Sequence, residues 1–457
     1  MHNLKHPAPV AFGGGIDRRS FLRLSAGAGV GLALAACGPG SSNAPGASGE
    51  QQQSQTGTGD TYDGPAVELA FWNGFTGADG PVMQDLVKQF SSEHDNIAVK
   101  MSTQEWADYY QKVPNAVSSG RGPDVGIMHI DQLATNAARN VIQPLDEVAE
   151  GLGLDPANFP DAVWNAGVYN DQRFGIPLDI HPLGLYYNKK LMQQAGLDPE
   201  SPPQDMDSYM QALEALKGEG IQGHWMSPFP FTGVLQFQAL IRQFGGDLFN
   251  TDATQATYNE GPGVEALTWM VDLVKEGHSP RDVGQDADHV AFQNNKNAFI
   301  WNGIWQIAAY RDTDGLEWGV AELPAIGGEQ AAWAGSHNFV LMQQRRPEPN
   351  KLQAGAVFIK WINEHSLEWA KGGQVPANQM VRDMPEFQEL EEQSTFAKEL
   401  DYVHFPPALP GIGDAMATMD TAVNEAVLLQ KEPQQALDDA AATADKLLEE
   451  NAKKYGA

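Results

Sequence analysis

Apolar positions along the chain alternate between a period of two and a period near three and a half. The run Val67-Glu68-Leu69-Ala70-Phe71-Trp72 reads as a strand, and a Gly-rich loop follows over 73–80. Pro81 then suits a first helical position. Val82, Met83, Leu86, Val87 and Phe90 recur at helical spacing, which predicts an amphipathic helix. Ile97, Val99 and Met101 alternate as a second strand. A helix is expected over about 106–119, ended by Gly120 and kinked at Pro114. A third strand is expected over 123–129. This βαβαβ opening predicts an α/β lobe with a largely parallel sheet.

The alternation resumes with strands expected at 183–187, 297–301, 317–323 and 338–342. Helices should end at Gly196 and Gly218, and another should run over about 264–276 with Gly277 as its cap. The C-terminal stretch reads as mostly helical, and no internal repeat is visible. A chain of 457 residues is too long for one compact core, so two lobes are expected. A formal charge of -30 argues against nucleic acid, whose phosphates call for clustered Lys and Arg. The acidity fits the solubility of an exported protein.

The single cysteine, Cys37, excludes an internal disulfide and draws attention to the N-terminus. Arg18 and Arg19 precede Phe21 and Leu22, as in a twin-arginine signal, with Asp17 as a small departure. The short Gly- and Ala-rich run over 24–36 matches a signal-peptide core rather than a spanning helix. Leu34-Ala35-Ala36-Cys37-Gly38 is similar to a bacterial lipobox, which would make Cys37 the lipidated N-terminus. An ordinary cleaved signal with a buried cysteine is the alternative. Residues 1–36 thus read as a lipoprotein signal peptide, and 37–64 as a disordered tether of Gly, Ser, Gln, Thr and Pro. The chain is expected on the outer face of a cell membrane or facing the periplasm.

From Val67 onward the order of short motifs becomes specific. Trp106 and Tyr109-Tyr110 are followed by Ser119-Gly120-Arg121-Gly122-Pro123-Asp124-Val125 and Pro144-Leu145-Asp146. Then come Phe174-Gly175-Ile176-Pro177, Leu185-Tyr186-Tyr187-Asn188-Lys189, Trp301-Asn302-Gly303-Ile304-Trp305 and Leu323-Pro324-Ala325. This order resembles the extracellular sugar-binding proteins of ABC importers, the maltose-binding type. The resemblance implies an α/β, two-lobed periplasmic-binding-protein type II fold, with hinge strands and a ligand cleft between the lobes. It places lobe one at 65–179 plus 320–343, and lobe two at 180–319 plus 344–457. It also implies a neutral carbohydrate ligand, the permease subunits of an ABC importer as partners, and a monomer without cofactor.

A sugar needs flat rings for its C–H face and fixed polar groups for its hydroxyl rim. In α/β sheets such groups stand on loops beyond strand C-termini. The candidates on those loops are Trp72, Phe75 and Thr76, then His129 and Asp131, with Asp179 and His181 at the hinge. In the second lobe they are Trp225, Ser227, Phe229, Asn302, Gly303 and Trp305. Ser336, His337 and Phe405 complete the set. Trp305 matches the family's main stacking position, and Asp179 and His181 its cross-hinge polar position. Trp72 reads equally as a core tryptophan, Asp131 as a helix cap, and Asp179 and His181 as hinge packing. Phe75 lies in a Gly-rich loop without apolar neighbours, which favours a site role. Trp301, Trp361 and Trp369 read as core. No catalytic or metal-ligating residue is expected. These loops lack Lys and Arg, which favours a neutral ligand over an anion. Three rivals remain open: the same fold binding a glycerol phosphodiester or other polar solute, a secreted glycoside-acting enzyme with paired carboxylates, and a purely structural surface lipoprotein.

Overall fold

The computed structural model describes residues 61–77 and 79–456. The signal segment, the lipobox with Cys37 and the tether up to residue 60 lie outside the described residues. The last expected tether residues do not: Tyr62 is buried, and its hydroxyl donates to the Pro65 carbonyl at 2.6 Å. Asn96 donates to the Tyr62 carbonyl at 2.8 Å, so the folded body begins before residue 65.

The strands in chain order are β1 (Val67–Asn73), β2 (Ile97–Thr103), β3 (Val125–His129), β4 (Val168–Tyr169), β5 (Gln172–Arg173), β6 (Ile176–Pro177) and β7 (Asp179–Asn188). They continue with β8 (Phe299–Gly303), β9 (Trp318–Ala321), β10 (Ala332–Gly335), β11 (His337–Leu341), β12 (Val375–Pro376) and β13 (Val403–His404). The first sheet has the order β2-β1-β3-β11-β6. Its β1–β2 and β1–β3 pairs are parallel, whereas β11 runs antiparallel to both neighbours. Strand β7 is the spine of the second sheet. It pairs antiparallel with β12, β10, β8 and β9 in turn along its length. All ten β7 residues are buried, as a strand covered on both faces requires. Pro182 stands where β7 changes partners, a position that tolerates a missing N–H.

Leu69, Phe71, Phe339 and Leu341 on the first sheet pack against Met83, Leu86 and Phe90 of the helix Asp79–Glu93. Phe358 and Ile362 of the helix Pro349–Glu364 close the same core. The chain passes between the sheets three times: at Leu178 between β6 and β7, at Ser336 between β10 and β11, and between the helix Ser366–Lys371 and β12. Two segments lie elsewhere than the expected division put them. Strand β10, inside 320–343, pairs with β7 in the second sheet, because only β11 continues into the first. The helix Pro349–Glu364, inside 344–457, covers the first sheet, because its Phe358 meets Phe71 and Phe90. The helix Trp106–Ser118 accommodates Pro114 without interruption.

Candidate functional site

The crossings bring polar residues of both sheets together. His129 ends β3 and His337 begins β11, and the two are register partners. His181 lies on β7 opposite Gly335. The ring centroids are 4.5 Å apart for His181 and His337, 4.9 Å for His129 and His337, and 5.9 Å for His129 and His181. Gly335 is required here. A Cβ at that position would lie 2.2 Å from Nε2 of His181, so only glycine lets the imidazole lie on the β10 backbone.

Asp179 holds the group together from beneath. Its side chain is fully buried and accepts four hydrogen bonds. The donors are the His337 N–H at 3.0 Å, Nδ1 of His337 at 2.8 Å, Nδ1 of His181 at 3.1 Å and Nε1 of Trp369 at 2.7 Å. Burial by itself would raise the Asp179 pKa. The histidine charges and hydrogen bonds outweigh that and hold the carboxyl well below the carboxylate range. An ionised carboxylate only accepts, so both imidazoles donate through Nδ1 and leave Nε2 free. Burial, followed by the neighbouring imidazoles, depresses the pKa of His129 and of His181 and favours the neutral rings. His129 Nδ1 lies 2.7 Å from the Tyr110 hydroxyl, which also accepts the His129 N–H at 2.9 Å.

Aromatic rings wall the polar group on both sides. From the first sheet, Trp106 lies nearly parallel to His337, with centroids 5.6 Å apart and planes at 12°, and stacks on Tyr110 at 5.7 Å. From the second, Trp305 lies 6.1 Å and Trp333 6.3 Å from His181. Phe231, 57% exposed, continues this row 5.1 Å from Trp305. Gly303 lets the Trp305 ring lie over the end of β8, because a Cβ there would be 2.0 Å from the indole.

The acids near the histidines are Asp79, Asp131 and Asp179. Desolvation raises the pKa of Asp79 and of Asp131. The charged groups that act on these three acids and on His129 and His181 are histidines and carboxylates, with no lysine or arginine among the described residues. The nearest cationic neighbours of other candidate rings are engaged. Lys112 Nζ lies 4.9 Å above Trp72 and donates to Gln104 at 2.7 Å, and Arg242 near Phe405 pairs with Asp247 at 2.7 Å.

The sequence-derived candidates do not all meet in one place. His129, Asp179, His181, Trp305 and His337 converge at the crossings. Phe75 is close but serves as backing rather than as a loop tip: it is 2% exposed, and its ring meets His337 at 5.0 Å, Trp369 at 4.8 Å and Trp106 at 5.8 Å. Those apolar partners come from distant segments, which local sequence hid. The remaining polar candidates bond locally. Thr76 is exposed and donates to Glu105 at 3.4 Å; Asp131 accepts from Gln132 at 2.8 Å and caps no helix. Ser227 accepts from the Phe229 N–H at 3.3 Å, Asn302 from the Gly303 N–H at 2.8 Å, and Ser336 from Asn338 at 3.1 Å. Trp72, Trp225 and Phe405 are half-buried. Trp225 leaves a buried indole N–H without a partner, and Phe405 shares a small pocket with Trp333. Trp106, Tyr110, Trp333 and Trp369 were not on the candidate list. Trp369 is buried as expected of a core residue, yet its N–H is spent on Asp179. No metal ligand was expected either, but one ring nitrogen from each of His129, His181 and His337 lies within 4.8 Å of the others.

Residues 85–395 match the family model of the bacterial extracellular solute-binding proteins. The chain belongs to that family. Among curated relatives of this solute-binding protein, the galactooligosaccharide-binding protein of Bacillus subtilis is 23% identical over 391 residues, 82% of this chain and 88% of its own length. The sn-glycerol-3-phosphate-binding periplasmic protein of Shigella dysenteriae is 25% identical over 414 residues, 83% of this chain and 92% of its own. The crystal structure of the cyclic α-maltosyl-1,6-maltose binding protein from Arthrobacter globiformis has the same fold. Its TM-score is 0.74 at 22% identity, covering 85% of this chain and all of that one. The two-lobed periplasmic-binding architecture is therefore that of this chain as well.

Proposed function

We propose that this solute-binding protein captures a neutral mono- or oligosaccharide outside the membrane and delivers it to the permease of an ABC importer. The ligand would lie across the crossings, stacked on Trp305 and Phe231 of the second half and facing Trp106 of the first. His129, His181 and His337 would take its hydroxyls. One observation carries this reading: the site joins flat rings to polar groups, and among the described residues no lysine or arginine acts on His129, Asp179 or His181. A phosphodiester or phosphate monoester would meet carboxylates instead of the Arg or Lys it calls for. The likeness to a glycerol-3-phosphate-binding relative keeps that solute as the rival. The protein would bind its ligand without turning it over. Lipidated Cys37 would tether it to the outer face of the membrane, with the folded body acting as a monomer.

Ligand bridging both halves favours their closure, since closure completes contacts that neither half makes alone. The test is a thermal-shift and calorimetric screen against neutral mono- and oligosaccharides, with glycerol 3-phosphate in the same panel. A neutral sugar should raise Tm and bind one to one, and chromatography should recover it unaltered. A response to glycerol 3-phosphate alone would overturn the carbohydrate assignment, and breakdown of a bound oligosaccharide would make the protein an enzyme.

A further inference from the structure

We infer that His129, His181 and His337 form a binding site for a divalent transition metal ion of the zinc type. Three nitrogen ligands would leave one coordination position toward the solute cleft. The inference shares residues with the carbohydrate reading but stands without it. Three imidazoles from three strands converge here, and they belong to both sheets: β3 and β11 supply His129 and His337, and β7 supplies His181. Points within 4.8 Å of one another share a centre no more than about 2.8 Å from each. Zinc–nitrogen bonds are about 2.0–2.1 Å long, so closing the shell asks each ring to move inward by less than about 1 Å.

The surroundings have the form of a built metal site. Histidine ligands are oriented by a hydrogen bond from the second ring nitrogen to a carboxylate or another oxygen. Asp179 accepts from Nδ1 of both His181 and His337. The Tyr110 oxygen, 2.7 Å from Nδ1 of His129, has a lone pair for that nitrogen beside the one that takes the His129 N–H. No hydrogen bond reaches Nε2 of any of the three among the described residues. Asp179 is itself fixed by Trp369 and by the His337 backbone, which limits the freedom of the two rings it holds. Three imidazole nitrogens as ligands suit zinc, copper or nickel rather than magnesium or calcium, which prefer oxygen. The fourth position would hold water or a solute hydroxyl.

The experiment uses the folded chain, stripped with a chelator and dialysed against Zn²⁺, with bound metal counted by mass spectrometry. One zinc per chain is expected, and Co²⁺ should give the strong visible absorption of four-coordinate nitrogen ligation. His129→Ala should abolish one-to-one uptake, and Tyr110→Phe should weaken it about 10–100-fold by freeing the ring. His94→Ala, remote from the site, should change nothing. His337 is buried and its replacement can unfold the chain, so the decision rests on the partly exposed His129. Uptake that survives His129→Ala, or none above that of the His129→Ala variant, overturns the site. Calorimetry with sugars in EDTA separates the two readings: sugar binding without zinc uptake sinks the metal site alone, and zinc uptake without any sugar response sinks the carbohydrate reading alone.

Discussion

Single residues decide how the two halves meet a ligand. Trp305 lies 6.1 Å from His181 and 5.1 Å from Phe231. Truncation to alanine should weaken sugar binding by about one to two orders of magnitude, in line with other buried aromatic anchors. Unchanged affinity in calorimetry would remove it from the site. Gly335→Ala tests the cradle beneath His181. The added Cβ would have to displace the imidazole, so ligand affinity should fall at least about tenfold while denaturant unfolding reports a loss of about 1–3 kcal/mol. Retained affinity would mean that His181 does not touch the solute. Much of this scale was legible only in part. Trp305 and the polar pair at 179 and 181 could be named because short motifs flank them. Phe75 could not be read correctly, since its neighbours Trp106, His337 and Trp369 are far away in sequence. The three histidines form no local spacing pattern, and nothing short of the folded β3, β7 and β11 shows that they meet.

At the level of elements, hydrophobic periodicity located β1, β2 and β3 and the amphipathic helix Asp79–Glu93 almost residue for residue. It reported 183–187 as a short strand, whereas β7 begins at Asp179. The extension consists of Asp179, Ile180, His181 and Pro182, whose polarity and proline break the apolar pattern even though all four are buried. Tertiary hydrogen bonds to β11 and Trp369 satisfy the polar members, and sequence periodicity cannot register them. The 3-10 turn Lys398–Asp401 offers a separate test. Glu399 on it accepts the Leu323 N–H at 2.6 Å and leaves its other carboxyl oxygen buried without a partner. Burial, and then nearby Glu322, holds its pKa well above the carboxylate range. A free glutamate titrates near ~4.3, so the folded state binds the extra proton and wild-type stability falls as pH rises from there toward the folded-state value. Glu399→Gln removes that titration. The Tm of the variant relative to wild type should therefore increase between pH 4 and pH 8 in differential scanning fluorimetry. A difference that stays flat or shrinks with pH would mean that Glu399 is ionised without penalty.

For the molecule as a whole, two halves and a lipid anchor were expected from length, the N-terminal pattern and the order of motifs. The family match bears out the two-lobed fold, while the N-terminal pattern awaits its own test. Cys37→Ser should shift the protein from the membrane fraction to the medium or periplasm on cell fractionation, and continued membrane retention would refute lipidation at that residue. The exact partition of segments was less visible. The C-terminal helices belong mainly with the second sheet, but the Gly411 N–H donates to the Thr135 hydroxyl at 2.9 Å, and Tyr455 accepts from Arg139 at 3.0 Å. Such contacts join residues hundreds of positions apart, and no local pattern announces them.

The four donors gathered on Asp179 constrain the way the halves can swing. They come from β7, β11 and the helix Ser366–Lys371, so one carboxylate acts as a fulcrum shared by all three crossings. Rotation about that point moves nearby atoms little and distant atoms much. Along the aromatic row, the rim at Phe231 should therefore travel further than Trp305, which stands next to His181, while the bed of histidines moves least.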